Sequence, residues 1–140
     1  MIRKLENKDI NIIMDIWLKS TIKAHNFIDE NYWRKNYNNV KNIYIPISDT
    51  FVYEYNGRIK GFISIINNDF IGALFVDVNS QGMGIGSKLI DYAINIYENL
   101  SLSVYKDNEN AFDFYKNKNF KILSEEVNKE TKFLEYIMKR

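Results

Sequence analysis

Two hydrophobic periods divide this chain. Leu100, Leu102 and Val104 alternate with Ser101, Ser103 and Tyr105, which predicts a strand with one polar face. Ile10, Ile13, Met14, Trp17 and Leu18 instead recur at helical spacing, with Asn7 placed to cap that helix. The segment from Ala24 to Asp29 breaks the pattern, and Asp29 caps a second helix carrying Tyr32, Trp33 and Tyr37. Pro46 and Ser48-Asp49 mark a loop. Phe51–Tyr55 and Arg58–Ile66 flank Asn56-Gly57, a two-residue hairpin turn in which both residues tolerate positive φ. Asn67-Asn68-Asp69 turns the chain into Ile71-Gly72-Ala73-Leu74-Phe75-Val76, an apolar run of the kind expected in a strand buried on both faces.

The remaining elements follow the same logic. Ile85, Leu89, Ala93 and Ile96-Tyr97 form the apolar stripe of a helix whose other face holds Ser87, Lys88, Asp91, Asn95 and Glu98. A short helix spans about Glu109 to Lys116. Ile2 to Leu5 is a first strand, and Phe120–Leu123 pairs with Phe133–Met138 around Asn128-Lys129. The order predicts an α/β (α+β) architecture: a central mixed sheet with helices on both faces, in one domain over residues 1–140.

Composition narrows the function classes. Hydrophobic content of 46% with 26% charged residues is that of a globular protein, and a net charge of +1 gives no nucleic-acid or membrane field. With no cysteine, disulfides, thiolate metal sites and a Cys acyl-enzyme are excluded. Met1–Asn7 has no apolar signal region and no apolar run approaches spanning length, so the expected location is the cytoplasm. No metal site is expected. Whether the chain is a monomer or a homodimer is open.

The segment richest in chemistry is Gln81-Gly82-Met83-Gly84-Ile85-Gly86, between the apolar strand and the amphipathic helix. Glycines there let backbone N–H groups approach a phosphate cluster, and the helix N-terminus adds partial positive charge. A P-loop needs Lys followed by Ser or Thr, and Gly86-Ser87-Lys88 reverses that order. A dinucleotide loop needs a third glycine where Ser87 stands, and an acid about 20 residues on, where Leu102 is apolar. Gln81, Gly84 and Gly86 do satisfy Gln/Arg-x-x-Gly-x-Gly/Ala. With this loop, Asn108-Glu109-Asn110-Ala111-Phe112-Asp113-Phe114-Tyr115 and the following Phe120 resemble the two signatures of the Gcn5-related N-acetyltransferases (GNAT). Met1–Leu5 with Lys8-Asp9, and Glu135–Met138, resemble that family's first and last segments, so the likeness covers the whole chain. Asn119 stands where the family has glycine, and Asn is the best substitute for a left-handed helix end.

The resemblance implies the acyl-CoA N-acyltransferase fold, with a mostly antiparallel sheet. It also implies acetyl transfer from acetyl-CoA to a primary amine on a small molecule, a protein lysine or an N-terminus, by direct attack in a ternary complex. Gln81, Gly82, Met83, Gly84, Gly86 and Ser87 would bind the diphosphate. Val76 to Val78 would pair with the pantetheine arm, a main-chain N–H near Val76 polarising the thioester carbonyl. By the same resemblance Tyr115 would protonate the leaving thiolate, against the plainer reading of a core aromatic. Asn108 is either a coenzyme contact or a simple helix N-cap. Some family members carry a Glu base on the strand before the loop, but Asn68–Gly72 has none. His25, the single histidine, borders the acceptor region and would serve as base, or else is a surface or capping residue. The rival functions are a non-catalytic CoA-binding module, an acyltransferase for longer acyl groups, and a nucleotide-binding regulator.

Overall fold

The structure, a computed structural model, describes residues 1–140. The strands are β1 (Ile2–Lys4), β2 (Ser48–Tyr55), β3 (Arg58–Ile66), β4 (Phe70–Val76), β5 (Ser101–Tyr105), β6 (Lys121–Val127) and β7 (Leu134–Lys139). They form a single sheet in the order β1-β2-β3-β4-β5-β7-β6. Every neighbouring pair is antiparallel except β4 and β5, which run parallel. The helices are α1 (Ile10–Ala24), α2 (Glu30–Asn39), α3 (Ile45–Ile47), α4 (Ile85–Ile96) and α5 (Glu109–Asn117).

The two-residue period of β2 and β3 creates a core on each face. Phe51, Ile63 and Ile65 pack with Ile85, Leu89 and Ile90 of α4. Their neighbours Val52 and Phe62 point the other way, onto Ile13, Met14 and Trp17 of α1, where Ile59 joins them beyond the register shift at Tyr53/Glu54. The hairpin turn is as the sequence predicts, with Asn56 at φ 52° and Gly57 at φ 73°. Asn119 ends α5 at φ 70°, in the left-handed conformation expected of a glycine substitute.

Several local expectations change. Asn7 is not a cap: Asn7–Asp9 is itself a short 3-10 turn, and the N–H of Glu6 donates to Asp9 Oδ2 at 2.8 Å. Asp9 is buried because Arg3 grips its carboxylate with Nη1 at 2.8 Å and Nη2 at 3.2 Å. Pro46 does not start a loop. The helical path of α2 continues through a wider π-wound stretch, Val40–Tyr44, where Ile45 N–H reaches Val40 O, and on into α3. Pro46 falls in the first turn of α3, where a backbone donor is not required. Ser48-Asp49 already belongs to β2. On α4, Ile96 is exposed and Ile90 takes its place in the core. Tyr105 lies inward, against His25, Phe27 and Trp33. β6 runs past Leu123 to Val127, and the connection to β7 is a loop in which Asn128 Oδ1 accepts from the N–H groups of Glu130 and Thr131.

Gly61 shows how tightly β3 meets α4. A Cβ there would lie 2.9 Å from the Phe75 carbonyl oxygen and 3.3 Å from both Ile85 Cγ2 and Leu89 Cδ1. At Gly72 the nearest atom is Ile66 Cδ1 at 2.8 Å, the free end of a side chain. Gly61→Ala is expected to destabilise by about 1–3 kcal/mol, as overpacking does, and Gly72→Ala by clearly less. Urea denaturation of both variants checks this, and equal losses would refute the packing argument.

Candidate active site

The site begins where the sheet opens. β4 and β5 share one register pair, Phe70↔Ser101, and then diverge. This is why the apolar run at Leu74–Val76 is only half-buried and not covered on both faces as the sequence predicts. On its other side β4 stays paired with β3 through Gly61↔Val76, and Asp77 N–H donates to Lys60 O at 2.8 Å. Alternation of the antiparallel ladder then turns the peptide groups of Val76 toward the gap. The Val76 carbonyl there accepts from Ser20 Oγ of α1 at 2.8 Å and from Gln81 Nε2 at 3.3 Å.

The glycine loop borders this gap. Gly82 and Gly84 take φ of 82° and 80°, and a Cβ built on either meets nothing within 4 Å. Both are glycine for their backbone conformation, and the space beside them is open. Gly84 immediately precedes α4, whose first-turn N–H groups face the same space. A cleft of about 940 Å³ runs from this loop past the end of α1 to α5.

α5 brings the second signature to the opposite wall. Asn108 is its N-cap: Oδ1 accepts from Ala111 N–H at 3.3 Å while Nδ2 lies 3.2 Å from His25 Nε2. His25 Nδ1 is 2.9 Å from the Thr21 carbonyl, which can only accept, so Nδ1 carries the proton and Nε2 accepts from Asn108. The chain Thr21–His25–Asn108–Ala111 thus ties α1 to α5. Tyr115, one wall residue further, is half-buried against Phe114 and Phe120. Burial pushes its phenol well above the ordinary tyrosine range, so it stays a protonated donor.

The cleft walls therefore unite Val76, Gln81, Gly82, Gly84, Gly86 and Ser87 with Asn108 and Tyr115. Three expected site residues lie outside them. Val78 sits in a 3-10 turn, Val78–Ser80, and the Met83 side chain points into solvent at 67% exposure. His25 is 8% exposed beneath Phe27, Trp33 and Tyr105, with both ring nitrogens engaged, which is at odds with a base for an incoming amine. The sequence reading missed Ser20 and Lys23, which line the cleft from α1. Their helical spacing with Ala24 was the available signal, but nothing marked the end of α1 as facing the loop.

The Acetyltransferase (GNAT) family matches residues 10–120, and the chain belongs to it. It is 34% identical over 138 residues to the peptidyl-lysine N-acetyltransferase YiaC of Escherichia coli (strain K12), covering 99% of this chain and 94% of that one. It is 28% identical over 123 residues to the peptidyl-lysine N-acetyltransferase YjaB of the same organism, covering 86% and 82%. Its fold resembles apo YjaB from E. coli with a TM-score of 0.85, at 23% identity and over 99% and 95% of the two chains. A PaiA N-acetyltransferase from Thermoplasma acidophilum in complex with coenzyme A gives 0.83 at 20% identity, over 100% and 97%. The protein is an N-acetyltransferase of a family that uses acetyl-CoA. No helix is long and apolar enough to cross a membrane.

The His25 network predicts a pH dependence of stability. Burial pushes the imidazole down from 6.5 to about 4. The folded state thus binds its proton less readily than the unfolded one, and the neutral ring favours folding above pH 6.5. That contribution, about 3 kcal/mol, should fade as pH falls from 6.5 to about 4 and be absent below. Melting temperature across that range should fall more steeply for the wild type than for His25→Gln; parallel curves would contradict the buried neutral tautomer.

Proposed function

We propose that this protein acetylates lysine side chains of proteins, using acetyl-CoA held between the glycine loop and α5. The observation that carries the reading is the unpaired edge of β4 at Val76, flanked by the open glycine loop and by Tyr115 across one cleft. The lysine acceptor rests on the likeness to YiaC, which spans nearly the whole chain. Cytoplasmic proteins are the acceptors this reading expects.

Each part of the cleft meets one chemical need. The N–H groups at Gly82–Ser87 and the start of α4 bind the diphosphate. The peptide groups of Leu74 hold the pantetheine arm as a short added strand, and Val76 N–H donates to the thioester oxygen as negative charge grows there. The neutral lysine amine attacks the carbonyl carbon. The C–N bond forms, the C–S bond breaks, the amine releases its proton to solvent, and Tyr115 Oη donates to the departing sulfur. In this scheme His25 positions Asn108, and with it the start of α5, and takes no proton from the acceptor. A non-catalytic CoA-binding module would not need a hydroxyl donor at this point of the cleft.

Tyr115→Phe should bind acetyl-CoA nearly as well as the wild type and lower kcat by about 10²-fold, a general-acid magnitude. Calorimetry and single-turnover acetylation of a lysine peptide separate the two, and an unchanged kcat would remove Tyr115 from the scheme. Since Tyr115 stays protonated and the free acceptor has a pKa of about 10.4, kcat/KM should rise steadily from neutral pH into the alkaline range. A bell with an alkaline limb near neutrality would contradict this. Gly84→Glu places a carboxylate in the open space beside the loop and should abolish coenzyme binding. Binding like that of the wild type would overturn the loop assignment.

A further inference from the structure

We propose that Lys23, a residue of α1 outside both sequence signatures, supplies the positive charge that the glycine loop lacks and contacts the coenzyme's diphosphate. This inference rests on the proposed function. Residues Gln81–Ser87 contain no lysine or arginine, so the loop offers only neutral amides and a helix N-terminus to a doubly charged group. The cleft also contains Asp107 and Glu109, which work against an anion. The nearby cations are otherwise engaged. Lys88 lies over the Tyr53 ring, 5.5 Å from its centroid, and Lys118 is paired with Asp91 at 2.9 Å.

Lys23 is free of carboxylates and aimed at the loop. Its Nζ stands 3.4 Å from Gln81 Oε1, an uncharged partner that leaves donors for a second acceptor. The position is fixed by the fold. Ser20, one turn earlier on the same helix face, is buried and anchored on the Val76 carbonyl. Gln81 bridges the two, donating from Nε2 to that carbonyl while its Oε1 meets Lys23. The strand edge, the loop and the cation are therefore held in one register. A lysine in the last turn of a helix also offsets the negative end of the helix dipole, and that structural role must be separated from ligand binding.

Calorimetric titration with coenzyme A and with dephospho-coenzyme A separates them. Lys23→Gln should weaken both ligands about tenfold, the size of one charge-assisted hydrogen bond, and Lys23→Glu more. Lys23→Arg should restore most of the affinity. The salt dependence of binding should be shallower in Lys23→Gln than in the wild type. Lys19→Gln, which removes an exposed lysine paired with Asp15 at 3.1 Å on the same helix, should leave affinity unchanged. Unchanged affinity in Lys23→Gln would overturn the inference and leave the proposed function intact. A loss for coenzyme A alone would overturn it too, by assigning Lys23 to the 3′-phosphate. A lower melting temperature without ligand, with no rescue by arginine, would make Lys23 structural. A wild type that binds neither ligand would overturn the proposed function, and this inference with it.

Discussion

The structure depends on a backbone edge that the sheet leaves unpaired. Beyond Phe70↔Ser101 nothing in β5 can reach β4, and an unsatisfied peptide group in a half-buried strand costs free energy comparable to a lost hydrogen bond. The fold answers part of that demand itself, through Ser20 and Gln81 on the Val76 carbonyl. Their placement leaves the remaining peptide groups pointing into a cleft wide enough for an extended chain. An edge strand of this kind would be an aggregation hazard on a flat sheet. Here α1 on one side and α5 on the other confine it, so it can be met only by a narrow ligand.

Keeping the two strands apart requires struts, and the histidine network is one. The Thr21 carbonyl fixes the tautomer of His25, His25 fixes the amide of Asn108, and Asn108 caps α5. The links follow in order because the Thr21 carbonyl can only accept, which leaves His25 Nε2 unprotonated and able only to accept from the Asn108 amide. The aromatic cluster of Phe27, Trp33 and Tyr105 around His25 removes water, which strengthens the polar links and holds the ring neutral. Tyr115 sits two helical turns beyond the cap, so the hydroxyl inherits its position from the same chain of bonds.

Motifs whose function is local to the backbone were legible in the sequence. The Asn56-Gly57 turn, the glycine loop and the start of α5 all depend on residue types at short spacing. What failed were judgements about which face of an element meets which neighbour. His25 looked free because its burial is made by Trp33 and Tyr105, from two other elements. The β4 run looked fully buried because a hydrophobic strand beside an opened gap has the same composition as one inside a closed sheet. Pro46 reads as part of a loop because the π winding that carries α2 on into α3 has no sequence marker.

The use of asparagine gives the glycines their meaning. In this chain Asn56, Asn67, Asn68, Asn99 and Asn119 adopt positive φ, so left-handed turns are routinely made without glycine. Residues 82 and 84 of the loop make the same backbone demand. Glycine is kept at both, although no protein atom lies within 4 Å of a Cβ built there. Gly57 in the hairpin turn shows the same combination of positive φ and open space, so glycine at 82 and 84 suits the backbone conformation and leaves the neighbouring N–H groups uncovered, as the proposed coenzyme binding would need. The same test separates Gly61, whose hydrogen faces the Phe75 carbonyl oxygen and α4 and whose role is packing. Gly61 thus serves packing, while Gly57, Gly82 and Gly84 serve backbone conformation, and in the proposed function the last two also leave room for the coenzyme.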